Sequence, residues 1–511
     1  MVSNEALLIK HNSMTQKTII LIALFSLSLS QYLFGQELKL GSPFTEHMVL
    51  QRGKPINIWG EAKPNEHVSV FLGKVEKSIV ADSSGAWKTQ LPPQSAGGPF
   101  LLQVKTDEES INYEDVMIGE VWICTGQSNM VMGYGGIPEI KELEGAAKNI
   151  RTFNVTNTVA FTEQDYLEGE WKLGNPSSAV AFSFAHFLEL EAGVPIGIIL
   201  TAWGSSSIEG WMPRDMEHML PHFKEIMVQF DGDSSKRERI AKILSSTERS
   251  RQEDIFLRTQ PNIIYNAMLK PLAPFTIRGM VWYQGEANTK SIEDMLQYGK
   301  TLPLWVSRLR AEWEGDPFHF FGVSLPGFVG KKNKDSDLGD FSEEPWTPSW
   351  AWMRASQYQA ECLDSVQIIN TIDLGDLWDI HPKDKLPIGR RLALMAASET
   401  LDKDTRAKGP FLKDIEIKGD KLVVQLYEAQ GLKTTDGEAP RAFWVADATG
   451  EWHRAAATIS GETVVLVSDE VKAPKYVRYA FSGKPNVNLV NRAGLPARPF
   501  RTDGFLPEPL K

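Results

Sequence analysis

Hydrophobic and polar positions fall into three successive patterns along the chain. Between about residues 36 and 115 apolar side chains alternate with polar ones: Ile56 and Ile58, then Val68, Val70 and Leu72, then Leu102 and Val104, with Ser84-Gly85 as a turn. A period of two predicts half-buried strands, hence an N-terminal β domain. From about 116 to 405 the alternation gives way to short continuous apolar runs with helical stretches between them. The runs are Val121-Trp-Ile-Cys124, Ile196-Gly-Ile-Ile-Leu200, Met280-Val-Trp-Tyr283, Phe318-His-Phe-Phe321 and Val366-Gln-Ile-Ile369. Strands buried on both faces and alternating with helices predict an α/β domain with a parallel sheet flanked by helices. One helix is well marked. Asn175-Pro176-Ser177 opens it, Val180, Phe184, Phe187 and Leu188 share a face, and Gly193 stops it. Residues 214–256 are charged and lack strand signals, which predicts a helical insertion. From about 406 to 511 alternation returns, with Ile415 and Ile417, then Leu422, Val424 and Leu426, around a Gly419-Asp420 turn. A C-terminal β domain is predicted there.

The first 35 residues add a location. Lys17 precedes an apolar run from Thr18 to Ser30, and a small residue, Gly35, follows. This is the layout of a secretory signal peptide, with Met14 as a second possible start; the run is short for a membrane span. An uncleaved anchor is the plainer alternative. The expectation is a secreted or periplasmic protein with no membrane partner after signal cleavage. Charge changes the picture further: 54 basic residues stand against 65 acidic ones, a net charge of -11. That balance disfavours nucleic acid as a partner. Two cysteines among 511 residues exclude a disulfide scaffold and a Cys-rich zinc site. No H-E-x-x-H or Asp-rich calcium loop is present, so neither metal nor cofactor is expected.

In open parallel sheets, ligand sites form beyond the carboxyl ends of the strands. Four polar loops follow predicted strands: Thr125-Gly-Gln-Ser-Asn-Met130, Ala202-Trp-Gly-Ser-Ser-Ser-Ile-Glu209, Gln284-Gly-Glu-Ala-Asn288 and Asp373-Leu-Gly-Asp-Leu-Trp-Asp-Ile-His-Pro382. Ser128 on its own would read as a turn serine. With His381 on the same rim it becomes a nucleophile with a base, and an Asp near His381 would hold the ring. Backbone N–H groups of Ser128 and Gly204 would face a developing oxyanion, with Gln284 or Asn288 as a side-chain donor. His186 and His319 lie among apolar neighbours and read as structural. Trp203, Trp282 and Trp378 read as an apolar surface beside the site. Trp346, Trp350 and Trp352 fit a sugar-stacking wall and the packing of a long loop equally well.

These blocks resemble the sialate O-acetylesterase family, which belongs to the SGNH (GDSL-type) hydrolases. Gly119-Glu-Val-Trp-Ile-Cys-Thr-Gly-Gln-Ser-Asn-Met130 resembles its nucleophile block; Trp203-Gly204, Ile208-Glu209 and Trp211 its second; Trp282-Tyr-Gln-Gly-Glu-Ala-Asn288 its third; and Asp379-Ile-His-Pro382 its acid–base block. Val477-Arg-Tyr479 and Gly494-Leu-Pro-Ala-Arg-Pro-Phe-Arg-Thr-Asp503 resemble the family's tail, so the likeness runs from about 38 to 503. It implies an SGNH-like α/β fold and removal of O-acetyl groups from carbohydrates through an acetyl-enzyme, with 9-O-acetylated sialate as the name-giving substrate. Acetylated xylan or another glycan is the alternative, and a carbohydrate-binding protein without activity the rival from another class. The resemblance also implies Gln284 as the oxyanion donor with Asn288 in reserve; Glu286, Asn288 and Asp376 stand beside these as candidate supports of the site. Its Asp-x-His-Pro pattern makes Asp379 the partner of His381. Residues two apart in an extended segment share a face, whereas Asp376 would need a turn to reach the ring. Ser205 stands where the family usually has a second glycine.

Overall fold

The computed structural model describes residues 37–146, 148–330, 344–401 and 403–506. The expected signal segment, 1–35, lies outside them. The chain divides into two compact units, the first drawn from residues up to Gly41, Asn57–Leu91 and Leu101–Asn112. In this unit His67–Leu72 pairs antiparallel with Val75–Val80 and with Leu102–Lys105. Val68, Val70, Leu72, Leu102 and Val104 are all buried, as the alternation requires.

The second unit holds the α/β layer. Its strands are β1 (Ser110–Gly126), which enters from the first unit, β2 (Ile150–Val155), β3 (Gly169–Leu173), β4 (Ile196–Ala202), β5 (Gly279–Tyr283), β6 (His319–Val323) and β7 (Val366–Ile369). They lie in the order β3-β2-β4-β1-β5-β6-β7. All neighbours are parallel except β3, which runs antiparallel to β2. The sheet is therefore mixed, with a parallel core of six strands. The change of pattern near 116 falls inside β1, a single 17-residue strand whose burial passes from alternating to continuous.

Helices cover both faces, and the register shows it. Trp122 pairs with Gly279 and so shares its face, while Trp282, three residues along β5, points the other way. On the Trp122 face lie Phe321 and Phe184, the latter from helix α1 (Ala179–Ala192). On the Trp282 face Trp305 of helix α2 (Ile292–Glu312) packs with a centroid separation of 4.5 Å. Helix α1 begins on Ser178, whose hydroxyl accepts the Ala181 N–H, and ends on Gly193 in the left-handed region. It is flanked closely by helix α3 (Leu386–Thr400), because a Cβ on Gly389 would sit 2.0 Å from Ser183 Oγ. The stretch from 214 to 258 is helical, as Arg214–His218, Pro221–Gly232, Ser234–Leu244 and Arg251–Arg258.

From Phe411 onward the chain forms antiparallel sheets within this same unit, including the Phe411–Lys418/Lys421–Tyr427 hairpin turned at Gly419. Their shared core contains Leu422, Val424, Val464, Val477 and Tyr479, and takes in Ile372 from the loop after β7. That loop is also tied by Lys484 Nζ donating to the Leu374 carbonyl at 3.0 Å. Among the described residues no helix is long and apolar enough to cross a membrane.

Candidate active site

Four loops converge at the carboxyl ends of β1, β4, β5 and β7. The first follows Gly126, which lies at φ 133° with the Tyr283 carbonyl so near that a Cβ would fall 2.2 Å from its oxygen. Glycine alone permits that approach. Ser128 then opens a single helical turn, Ser128–Val131. Its Oγ lies 2.7 Å from His381 Nε2, although the two residues are 253 positions apart. A hydroxyl at that distance from an imidazole nitrogen satisfies the geometric requirement for a nucleophile and its base.

Gly204, at the end of β4, faces the serine: a Cβ there would lie 3.4 Å from Ser128 Cβ and 3.3 Å from Arg258 Nη1. The serine and the guanidinium flank the same glycine. Arg258 Nη1 pairs with Asp254 at 3.3 Å, while its buried Nε has no partner. Ser205, where the resemblance leads one to expect a glycine, has φ 62°, the left-handed region in which glycine is least costly.

The histidine loop is shaped by two carboxylates. Asp376 Oδ1 accepts the N–H groups of Trp378 and Asp379 at 2.7 and 2.8 Å, closing a turn, and these bonds hold its carboxyl below the usual range. Asp379 Oδ1 in turn accepts the backbone N–H of His381 at 2.8 Å. The loop bends at Leu377, Trp378, Ile380 and His381 instead of running extended, so the face-sharing expected of Asp379 and His381 does not hold. Asp379 is exposed and acts on the ring through its field. Burial lowers the His381 pKa, Asp379 opposes that, and Lys385 adds to it.

Gln284 and Asn288 occupy different situations. Gln284 is fully buried, and its Nε2 contacts Gln127 Oε1, the Ser206 carbonyl and Asn288 Oδ1 at 3.1, 3.2 and 2.9 Å, while its Oε1 accepts from Tyr298. Two N–H groups already face three acceptors, so this amide is committed to the scaffold. Asn288 Oδ1 accepts from Ile208 N and Gln284, and its Nδ2 lies 3.0 Å from both Glu209 oxygens. One bifurcated N–H serves that carboxylate, and the second has no partner among the described residues.

Glu286 is buried, and desolvation raises its pKa; Oε1 accepts from Asn129 Nδ2, and Oε2 has no partner. Asn129 also donates to the Ile380 carbonyl at 3.0 Å and accepts from Lys385 Nζ at 2.7 Å. Asn129 and Lys385 were not singled out from the sequence. The only signal was position, one residue after Ser128 and four after His381. Trp282 and Trp203 are core residues: Trp282 bonds Tyr298 and packs on Trp305 and Trp211. Trp350 and Trp352 are buried, and Trp346 is exposed against Trp444. His186 and His319 keep lowered pKa values through burial. Among the described residues no cluster of three or more His, Cys, Asp or Glu is placed to hold a metal.

The model of a family described as "carbohydrate esterase, sialic acid-specific acetylesterase" matches residues 118–244 and 252–394, which include all four loops. Sialate O-acetylesterases of Homo sapiens and Mus musculus are 26% and 27% identical, over 88% of this chain and 89% and 91% of theirs. The crystal structure of a carbohydrate acetylesterase from Xanthomonas citri superposes with a TM-score of 0.77 at 31% identity, covering 92% of this chain and all of that one. Fold and relatives together define a carboxylic ester hydrolase. The chain belongs to the sialic acid-specific acetylesterase family of carbohydrate esterases.

Proposed function

We propose that this chain is a secreted serine esterase that removes acetyl groups from the hydroxyls of acidic sugars, sialate foremost. The observation that carries the reading is the 2.7 Å contact between Ser128 Oγ and His381 Nε2 on the carboxyl rim of the sheet. His381 takes the serine proton as Oγ adds to the acetyl carbonyl. The N–H groups of Ser128 and Gly204 and the free N–H of Asn288 receive the oxyanion. Asn288 takes this part in place of Gln284, whose amide is committed elsewhere. His381 then protonates the departing sugar oxygen, leaving acetyl on Ser128. Water, deprotonated by the same ring, releases acetate and restores the hydroxyl.

The acidic sugar is favoured by Arg258, whose guanidinium borders the same Gly204 as the serine and keeps an Nε with no hydrogen-bond partner. A cleft of about 260 Å³ offers room for the remainder of the glycan; its walls include Thr289, Lys290, Phe328 and Trp350. Thr289 continues the Asn288 loop, and Val329 beside Phe328 donates its N–H to the Leu377 carbonyl of the histidine loop. The reading includes a signal segment over 1–35, β domains at 36–115 and 406–511, and an SGNH-type catalytic domain between them.

Acetate release from acetylated sialic acids, acetyl-xylan oligomers and long-chain esters tests the proposal. Sialates should be preferred, and Ser128→Ala should lower kcat by about 10⁴-fold or more without changing the melting curve. A folded Ser128→Ala variant within tenfold of the parent removes the serine mechanism, and a preference for xylan removes the acidic sugar.

A further inference from the structure

We propose that Lys385 is a positioning residue for the Ser128–His381 pair, holding Asn129 as the staple between the serine turn and the histidine loop. The proposal rests on the serine-esterase reading above and goes beyond it. Asn129 directly follows the serine, and its amide reaches three distant segments. Nδ2 donates to the carbonyl of Ile380, the residue before His381, at 3.0 Å and to Glu286 Oε1; Oδ1 accepts from Lys385 Nζ at 2.7 Å. Both N–H groups and the carbonyl are thus in use, which fixes the amide's orientation. Flipping it would turn the carbonyl toward two acceptors. Among the described residues Lys385 is the only donor to that oxygen, so it decides which way the amide faces.

The lysine is held where a cation is costly. It is fully buried, lies 5.4 Å from the Tyr283 ring centroid, and occupies the N-cap of α3, the end of a helix that disfavours positive charge. Burial brings its pKa down to about 8, against the pull of Asp384, Glu286 and Asp379. Those carboxylates, Asn129 and the Tyr283 ring are the groups that face it; His381 is faced by Ser128, Asp379 and Lys385. A buried ammonium here serves two ends. It orients Asn129, and its charge opposes protonation of the imidazole that must be neutral to accept the serine proton.

Labelling of Ser128 by a fluorophosphonate tests this without relying on the sugar substrate. In Lys385→Met the labelling rate should fall about tenfold or more, as expected for loss of a charge-assisted bond. Its acid limb should move to higher pH. Lys385→Gln keeps an N–H for Asn129 and removes the charge, so it should recover most of the rate while retaining the moved limb. On the pH plateau above the acid limb, where the charge effect on His381 is not felt, combining Lys385→Met with Asn129→Ala should cost no more than Asn129→Ala alone, because there one acts through the other. Folded Lys385→Met labelled within twofold of the parent, or losses that multiply in the double variant, would overturn the proposal. Should Lys385→Met fail to fold, an unmoved acid limb in Lys385→Gln overturns it. No labelling of the parent at Ser128 removes the serine reading itself, whereas equal labelling of parent and variants removes this proposal alone.

Discussion

Replacing Asp379 by Asn separates two ways in which a carboxylate can serve a catalytic histidine. Asn keeps an oxygen for the His381 N–H that Asp379 now accepts at 2.8 Å, so the loop should hold its shape and only the charge is lost. Asp379 is exposed, and water screens its field at the ring. Two unit charges a few ångströms apart interact by about 1 kcal/mol in water and about 4 kcal/mol near a protein surface. An exposed carboxylate belongs toward the lower figure, about 1–2 kcal/mol after screening. At about 1.4 kcal/mol per decade this is roughly a tenfold loss of kcat. A buried acid bonded to the ring would instead cost about 10⁴-fold. The pH profile carries a second signature. Asp379 raises the His381 pKa, so its removal lowers that pKa, and the acid limb of kcat/KM moves to lower pH as the plateau falls. Asp376→Asn retains the acceptor for Trp378 and Asp379 N–H and should change kcat by less than about threefold. Rates of 4-nitrophenyl acetate and acetyl-sugar hydrolysis between pH 5 and 8 measure both. A loss of 10³-fold or more in Asp379→Asn, an upward move of its acid limb, or a larger loss in Asp376→Asn would refute the reasoning.

Asn288→Ala should lower kcat by about 10²–10³-fold through a lost oxyanion donor, whereas Gln284→Ala should chiefly lower the melting temperature by stripping a buried network; kinetics and thermal melts on both variants decide between them. The acid limb of kcat/KM in the parent protein should lie below the ordinary histidine value of 6.5, because burial and Lys385 depress His381 more than Asp379 raises it; a midpoint above 6.5 contradicts this. Gly126→Ala should destabilise by about 3 kcal/mol or more, since a Cβ would strike the Tyr283 carbonyl; an unchanged melting curve would rule that out.

Much of the sheet was legible in the sequence because its central strands are buried on both faces and show as unbroken apolar runs. β1, β4, β5, β6 and β7 were found that way. β2 was not, since Arg151 and Asn154 break its run. The Arg151 guanidinium is instead paired with Asp115 at 2.8 Å, a contact that only the fold reveals. β3 carries Glu170 and Lys172 on an antiparallel edge and leaves no apolar signature. At the site, Ser128 and His381 could be read from where strands end. The division of labour between Gln284 and Asn288 could not, because both are amides in one short loop and only their partners distinguish them. The bent course of residues 376–381 was equally hidden, as it depends on which backbone N–H groups the Asp376 side chain accepts.

The span of chain between the serine and the histidine has a consequence for refolding. Ser128 and His381 are separated by 253 residues, and Asn129 reaches 251 and 256 residues to Ile380 and Lys385. The Asp376 turn, by contrast, closes over two or three residues. Local turns and helices form before contacts that must first close long loops. Esterase activity should accordingly return after far-ultraviolet circular dichroism has recovered, making turnover a late marker of the completed sheet.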